Sequence, residues 1–171
     1  MGEEVILSLG SNLGHRSGYL EIACRFLSDH PAIQILARSP VYETQPQEMK
    51  GDQRPFLNQV VVLSTTLSPE MLHAFCREVE INLGRPGDHA VNSPRTIDID
   101  LVAFGNRRIA DPDLVVPHPR YATRRFVLVP LADIRPAFTD PATGRTVHEL
   151  LACCPHHAQL HPVGILSESM C

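Results

Sequence analysis

The chain has 171 residues, 43% of them hydrophobic and 20% charged, with a formal net charge of −4. That length can bury a core without disulfides or metal, the acidic balance excludes a protein that coats nucleic acid, and no window approaches 18 continuous apolar residues, so no membrane span is expected. Met1-Gly2-Glu3-Glu4-Val5 runs from acidic residues into a strand, unlike a signal peptide, and five cysteines without paired spacing (Cys24, Cys76, Cys153, Cys154, Cys171) read as reduced thiols of a cytoplasmic protein.

Val5-Ile6-Leu7-Ser8-Leu9, closed by Gly10-Ser11-Asn12, predicts a strand and a turn. Helical spacing of Tyr19, Ala23, Phe26 and Leu27 predicts a helix over 17–28. Strands follow over 33–43 and 56–65, separated by a polar loop (44–55) whose length is typical of functional or disordered loops. The second helix has punctuation at both ends. Ser68 suits the N-cap, Pro69 the first helical position and Gly84 the C-terminal cap, and Leu72, Phe75, Cys76, Val79 and Leu83 form the apolar stripe. An irregular loop (85–94) then leads to a strand ending at Phe104. The expected fold class is α+β, a ferredoxin-like βαββαβ core with an antiparallel sheet, two helices on one face and the other face free. Extra C-terminal elements include a short strand or helix over 126–134 packed against the sheet, while 151–171 is a weakly patterned tail whose last ten residues should be mobile.

Chemistry concentrates in the last core strand, Arg95-Thr96-Ile97-Asp98-Ile99-Asp100. Alternation with Ile97, Ile99 and Leu101 puts Asp98 and Asp100 on one face, about 6.7 Å apart at Cα. Two carboxylates that close repel unless a cation lies near, and hard oxygen donors suit Mg²⁺ that completes its shell with water and phosphate. A solvated acidic strand would show the same local pattern. The chain has fourteen arginines and one lysine, Lys50, and seven of the arginines fall between Arg85 and Arg125. Codon bias can set the total but not the clustering, which favours a phosphate site. His118, stiffened between Pro117 and Pro119 and followed by Arg120, Arg124 and Arg125, completes a candidate triphosphate clamp.

Gly10-Ser11-Asn12-Leu13, Tyr42-Glu43-Thr44, Phe56-Leu57-Asn58, Gly84-Arg85, Pro94-Arg95-Thr96-Ile97-Asp98-Ile99-Asp100 and Val116-Pro117-His118 occur in this order. Together they resemble the 6-hydroxymethyl-7,8-dihydropterin pyrophosphokinases of folate biosynthesis, over about residues 4–150 of a single 1–171 domain. The resemblance implies transfer of pyrophosphate from ATP to the pterin hydroxymethyl group, with release of AMP. It makes Arg85, Arg95, Asp98 and Asp100 catalytic, and Asp98 and Asp100 ligands of two Mg²⁺ ions. ATP falls to Glu80, Arg85, Arg95, His118 and Arg124, and the pterin to Thr44, Phe56, Asn58, Asp98 and Phe126, with the two aromatic rings sandwiching the heterocycle. The loops over 45–55 and 85–94 resemble the family's lids. The partners expected are these two small molecules, with no nucleic acid and no membrane, and the protein should be a monomer.

The chain also departs from the common family pattern. It has no Trp, reads Asn92-Ser93-Pro94 where a glycine often precedes the proline, and carries Gln45 and Gln47 where a proline and an apolar residue are frequent. Cys153, Cys154, His156, His157 and His161 lack regular zinc-ligand spacing, so no metal is expected in the tail. Two other readings of a ferredoxin-like sheet are a palm-like nucleotidyltransferase and a small-molecule sensor. The first would want a further strand carboxylate and a basic groove, and the second would not need the aspartates to hold a ligand.

Overall fold

The computed structural model describes residues 1–45, 53–85, 94–155 and 159–163. Its core follows the expected order: β1 (Glu3–Ser11), α1 (Arg16–Asp29), β2 (Ile33–Arg38), β3 (Val41–Thr44), β4 (Phe56–Thr65), α2 (Pro69–Asn82) and β5 (Asp98–Phe104). The strands lie antiparallel in the order β5-β1-β4-β3, and β2 runs along β4 beyond the end of β3. The second predicted strand is thus two. Pro40 has no N–H for the ladder, and Ser39 fills the break by accepting the Val60 N–H on its Oγ at 2.9 Å.

Burial explains the layering. Ile97, Ile99 and Leu101 pack with Leu20, Ala23 and Leu27 of α1 and with Leu72, Cys76 and Val79 of α2. The opposite face of the sheet, which the βαββαβ core alone would leave free, carries the 126–134 segment expected to pack on the sheet and a further helix beside it. Ile6, Val60, Val62 and Val102 are covered by Val127, Leu128 and Leu131 of α3 (Arg125–Ile134) and by Val147 and Leu150 of α4 (Val147–Cys153). Asp98 and Asp100, at one end of this face, lie outside that apolar cluster. A small ribbon of β6 (Ile109–Ala110) and β7 (Val115–Val116) carries the chain from β5 to His118.

Two features at the chain's ends bear on the expectations. α4 opens with a capping box, in which Thr146 and Glu149 satisfy each other's backbone N–H groups. The tail is partly ordered, since β8 (Leu160–Val163) pairs with β3 at the sheet edge. Residues 156–158, including His156 and His157, and the last eight residues lie outside the described residues, as do 46–52 and 86–93, where Gln47, Asn92 and most of both loops fall. No described helix is long and apolar enough to cross a membrane.

Candidate active site

The end of α2 builds one side of the site. Gly84, at φ +92°, turns the chain so that the Gly84 N–H donates to the Ile81 carbonyl and the Arg85 N–H to the Glu80 carbonyl, both at 3.0 Å. That double closure is a Schellman motif, and it needs a residue tolerant of the left-handed region. It brings Arg85, just past the helix, back beside Glu80, one turn inside it. Arg85 Nη1 lies 2.8 Å from Glu80 Oε1, with the two side chains only 7% and 3% exposed. Glu80 Oε1 also accepts the Ile99 N–H at 2.7 Å, which ties α2 to β5. Burial pushes the Glu80 carboxyl up to about 7, against the pull of that N–H and of Arg85.

Asp98 is held from both sides. Arg85 pairs with its Oδ1, and Arg95 Nη1 donates to its Oδ2 at 2.8 Å. Arg95 is itself fixed by Asn12, which donates its N–H to the Arg95 carbonyl at 3.1 Å and accepts the Arg95 N–H on Oδ1 at 2.8 Å. Asp100, two residues on and on the same face, meets Arg124 Nη1 at 3.5 Å. Burial, then the neighbouring Asp98 carboxylate, pushes Asp100 up to about 7. A cation at this pair would counter both causes by favouring the ionised carboxylates.

His118 is anchored by its N–H to the Val102 carbonyl of β5 at 2.9 Å. Its Nδ1 accepts the Arg120 N–H at 3.1 Å, so the ring proton belongs on Nε2. Burial and the charges of Arg124 and Arg120 hold its pKa down at about 4. At neutral pH His118 is therefore uncharged and can donate from Nε2.

The second part of the site lies along the same face. In register, Asp98 opposes Gly10, Gly10 opposes Asn58, and Asn58 opposes Tyr42. Asn58 Nδ2 donates to Thr44 Oγ1 at 2.7 Å, and both residues are buried. A Cβ on Gly10 would sit 3.4 Å from Asn58 Oδ1 and 3.7 Å from Phe56 Cδ1, so glycine keeps this floor low. Phe56 is half-buried at the start of β4, and Phe126, also half-buried at the start of α3, lies under the Arg124 guanidinium at 5.5 Å.

All eleven site residues expected from sequence are described, and they fall in two adjoining groups. Glu80, Arg85, Arg95, Asp98, Asp100, His118 and Arg124 make a charged end, while Thr44, Phe56, Asn58 and Phe126 flank it. Sequence reasoning missed Asn12 as the clamp on Arg95, although its Gly-Ser-Asn motif stood out. Among the described residues no three His, Cys, Asp or Glu side chains group to hold a metal, so any ion here would draw on two carboxylates and on ligand oxygens. The buried thiols of Cys24 and Cys76, pushed up to about 11 and about 12, are inert by comparison.

Carboxylates, guanidiniums and a neutral imidazole donor beside a buried amide, a hydroxyl and two half-buried aromatic rings suit a polyphosphate next to a flat polar ring, the ligands of a small-molecule phosphotransferase. The chain belongs to the 7,8-dihydro-6-hydroxymethylpterin-pyrophosphokinase family, whose model matches residues 6–136. It is 40% identical over 159 residues to the 2-amino-4-hydroxy-6-hydroxymethyldihydropteridine pyrophosphokinase of Methylorubrum extorquens, covering 93% of this chain and 94% of that one. The Bacillus subtilis enzyme of the same name is 40% identical over 134 residues, 78% and 79% of the two chains. Among solved structures, Plasmodium falciparum HPPK-DHPS with pteroate superposes with a TM-score of 0.70 at 15% identity, covering 89% of this chain. This chain spans 42% of that longer one, and the likeness shows the shared fold.

Proposed function

We infer that the chain is the pyrophosphokinase its family is named for, transferring pyrophosphate from ATP to 6-hydroxymethyl-7,8-dihydropterin in folate biosynthesis. The pterin hydroxyl oxygen bonds to the β-phosphorus, the bond from that phosphorus to the α,β-bridging oxygen breaks, AMP leaves, and the hydroxyl proton is released. The observation that carries the reading is the single sheet face on which Asp98 and Asp100 adjoin Asn58, Thr44 and Phe56.

Asp98 and Asp100 would hold two Mg²⁺ ions. Their chemistry fits: hard oxygen donors, one with its pKa raised by burial and by its neighbour. Bound Mg²⁺ supplies charge neutralisation and alignment of the phosphates. Arg85, Arg95 and Arg124 bind ATP oxygens, and His118 donates from Nε2. Arg124 and Arg125 stand at the positive end of α3, and Arg124 makes no side-chain cap there. That placement costs helix stability and suits a bound anion. No described side chain is placed as a base, and phosphoryl transfer proceeds by positioning and electrostatics.

Phe56 and Phe126 stack on the pterin, and Asn58 and Thr44 bond its edge. Asn58→Ala and Phe56→Ala should each raise the pterin KM roughly ten-fold or more while leaving the ATP KM within about two-fold. Steady-state kinetics with each substrate varied checks this, and equal effects on both KM values would sink the pocket assignment. The palm-like and sensor readings gain no support from the site.

A further inference from the structure

We infer that Arg16, which lies outside both groups, is a positioning residue for the pterin pocket, holding from behind the strand ends that carry Thr44, Phe56 and Asn58. The inference rests on the reading of those three residues as the pocket. Arg16 is the first residue of α1. Its Nη1 donates to Glu43 Oε2 at 3.0 Å and to the Pro55 carbonyl at 2.8 Å. Glu43 directly precedes Thr44 at the end of β3, and Pro55 directly precedes Phe56 at the start of β4. Among the described residues, Thr44 opposite Phe56 is the last pair of that ladder. One guanidinium therefore joins both strands where their own pairing stops.

The geometry also says which face Arg16 serves. Glu43 opposes Leu57, which is buried against α1 and α2, whereas Thr44 and Asn58 bond each other on the opposite face. Arg16 reaches the strand ends from the α1 side and does not face the ring that Phe56 would stack. Two neighbouring contacts hold the same segment. Arg54 Nη1 donates to the Gly14 carbonyl at 3.1 Å, and Asn12 Nδ2 to Gln53 Oε1 at 3.2 Å. Both tie residues 53–54 to the turn before α1, and neither reaches β3. Arg16 links the start of α1 to both strands. The Arg16 and Glu43 side chains are 19% and 34% exposed, so the pair is partly shielded from solvent. Misplacing a binding group by a fraction of an ångström is enough to weaken a site.

The test is steady-state kinetics, with each substrate varied, on the full chain carrying Arg16→Ala, Arg16→Lys, Glu43→Ala and, as a control, Asn58→Ala, together with calorimetric titration of the pterin. Arg16→Ala should raise the pterin KM and Kd about ten-fold, with kcat and the ATP KM within about two-fold. Arg16→Lys should recover part of the loss, since an ammonium can still meet one partner. Glu43→Ala cuts half of the clamp and should raise the pterin KM about three-fold, which keeps the test open if Arg16→Ala does not fold. If Asn58→Ala weakens the pterin and Arg16→Ala and Glu43→Ala do not, Arg16 has no such role and the pocket stands. If none of the variants moves the pterin constants, the pocket reading fails and the inference goes with it. Equal losses for both substrates, unrelieved by Arg16→Lys, would show a general structural role instead.

Discussion

Asp98→Ala and Asp100→Ala should each lower kcat by about three orders of magnitude or more, because each removes a carboxylate from the proposed Mg²⁺ site at which phosphate charge is neutralised. Their effects on stability should differ. Asp98 is paired with Arg85 and Arg95, so its removal takes one carboxylate from each guanidinium and should lower Tm. Asp100 carries a raised pKa of about 7 against an ordinary value of 3.8. A carboxyl whose folded pKa lies above its unfolded one contributes fully below the unfolded pKa and loses that contribution as pH rises through the folded value. Asp100→Asn cannot ionise. In the absence of Mg²⁺ it should melt with the wild type at pH 4 and progressively above it between pH 5 and 8. A third of the Asp100 side chain meets solvent, which limits the gain. Thermal melts across that range, with and without Mg²⁺, check the sign, and Mg²⁺ should raise the wild-type Tm at pH 8 while leaving Asp100→Asn less changed.

Glu80→Ala should cost about 3 kcal/mol of stability, the usual consequence of removing one partner from a buried ion pair. The loss has two sources. Arg85 would be left buried with one carboxylate fewer, and the Ile99 N–H of β5 would lose its acceptor. For a chain of this length that corresponds to a fall in Tm of roughly 6–12 °C. Glu80→Gln keeps an acceptor for the N–H and should cost less. Urea or thermal unfolding of the two variants, set beside Arg85→Ala and the double variant, measures the coupling. Melts within 1 °C of the wild type for Glu80→Ala would contradict the buried pairing.

What the sequence disclosed and what it withheld follow from the range of the interactions. Ser68, Pro69 and Gly84 bracket α2 because capping is decided within one turn of helix, and Ser68 does accept the Met71 N–H. Asp98 and Asp100 were legible because alternation along one strand fixes their common face whatever packs around it. The apolar run over 126–134 also pointed to packing on the sheet, but which face α3 and α4 cover depends on contacts with strands some 25 to 140 residues earlier, such as β1 at Ile6 and β5 at Val102. Pro40 carried a readable signal for the strand break that the apolar run on either side obscured. Within α2, Glu80 carries no local signal of burial. It is buried because the Gly84 turn brings Arg85 back beside it and the Ile99 N–H needs an acceptor. Arg16 looks like an ordinary first-turn residue until the fold brings Glu43 and Pro55, 27 and 39 residues away, to its guanidinium.

The central claim is that the face shared by Asp98, Asp100 and Asn58 moves a diphosphate as one unit. Incubation of the full chain with ATP, Mg²⁺ and 6-hydroxymethyl-7,8-dihydropterin, followed by chromatographic identification of the nucleotide and ³¹P spectroscopy of the pterin product, tests it most directly. The expected result is AMP in equal amount with a pterin carrying two coupled phosphorus resonances, and neither product from Asp98→Ala. Stoichiometric ADP with a pterin monophosphate would contradict it.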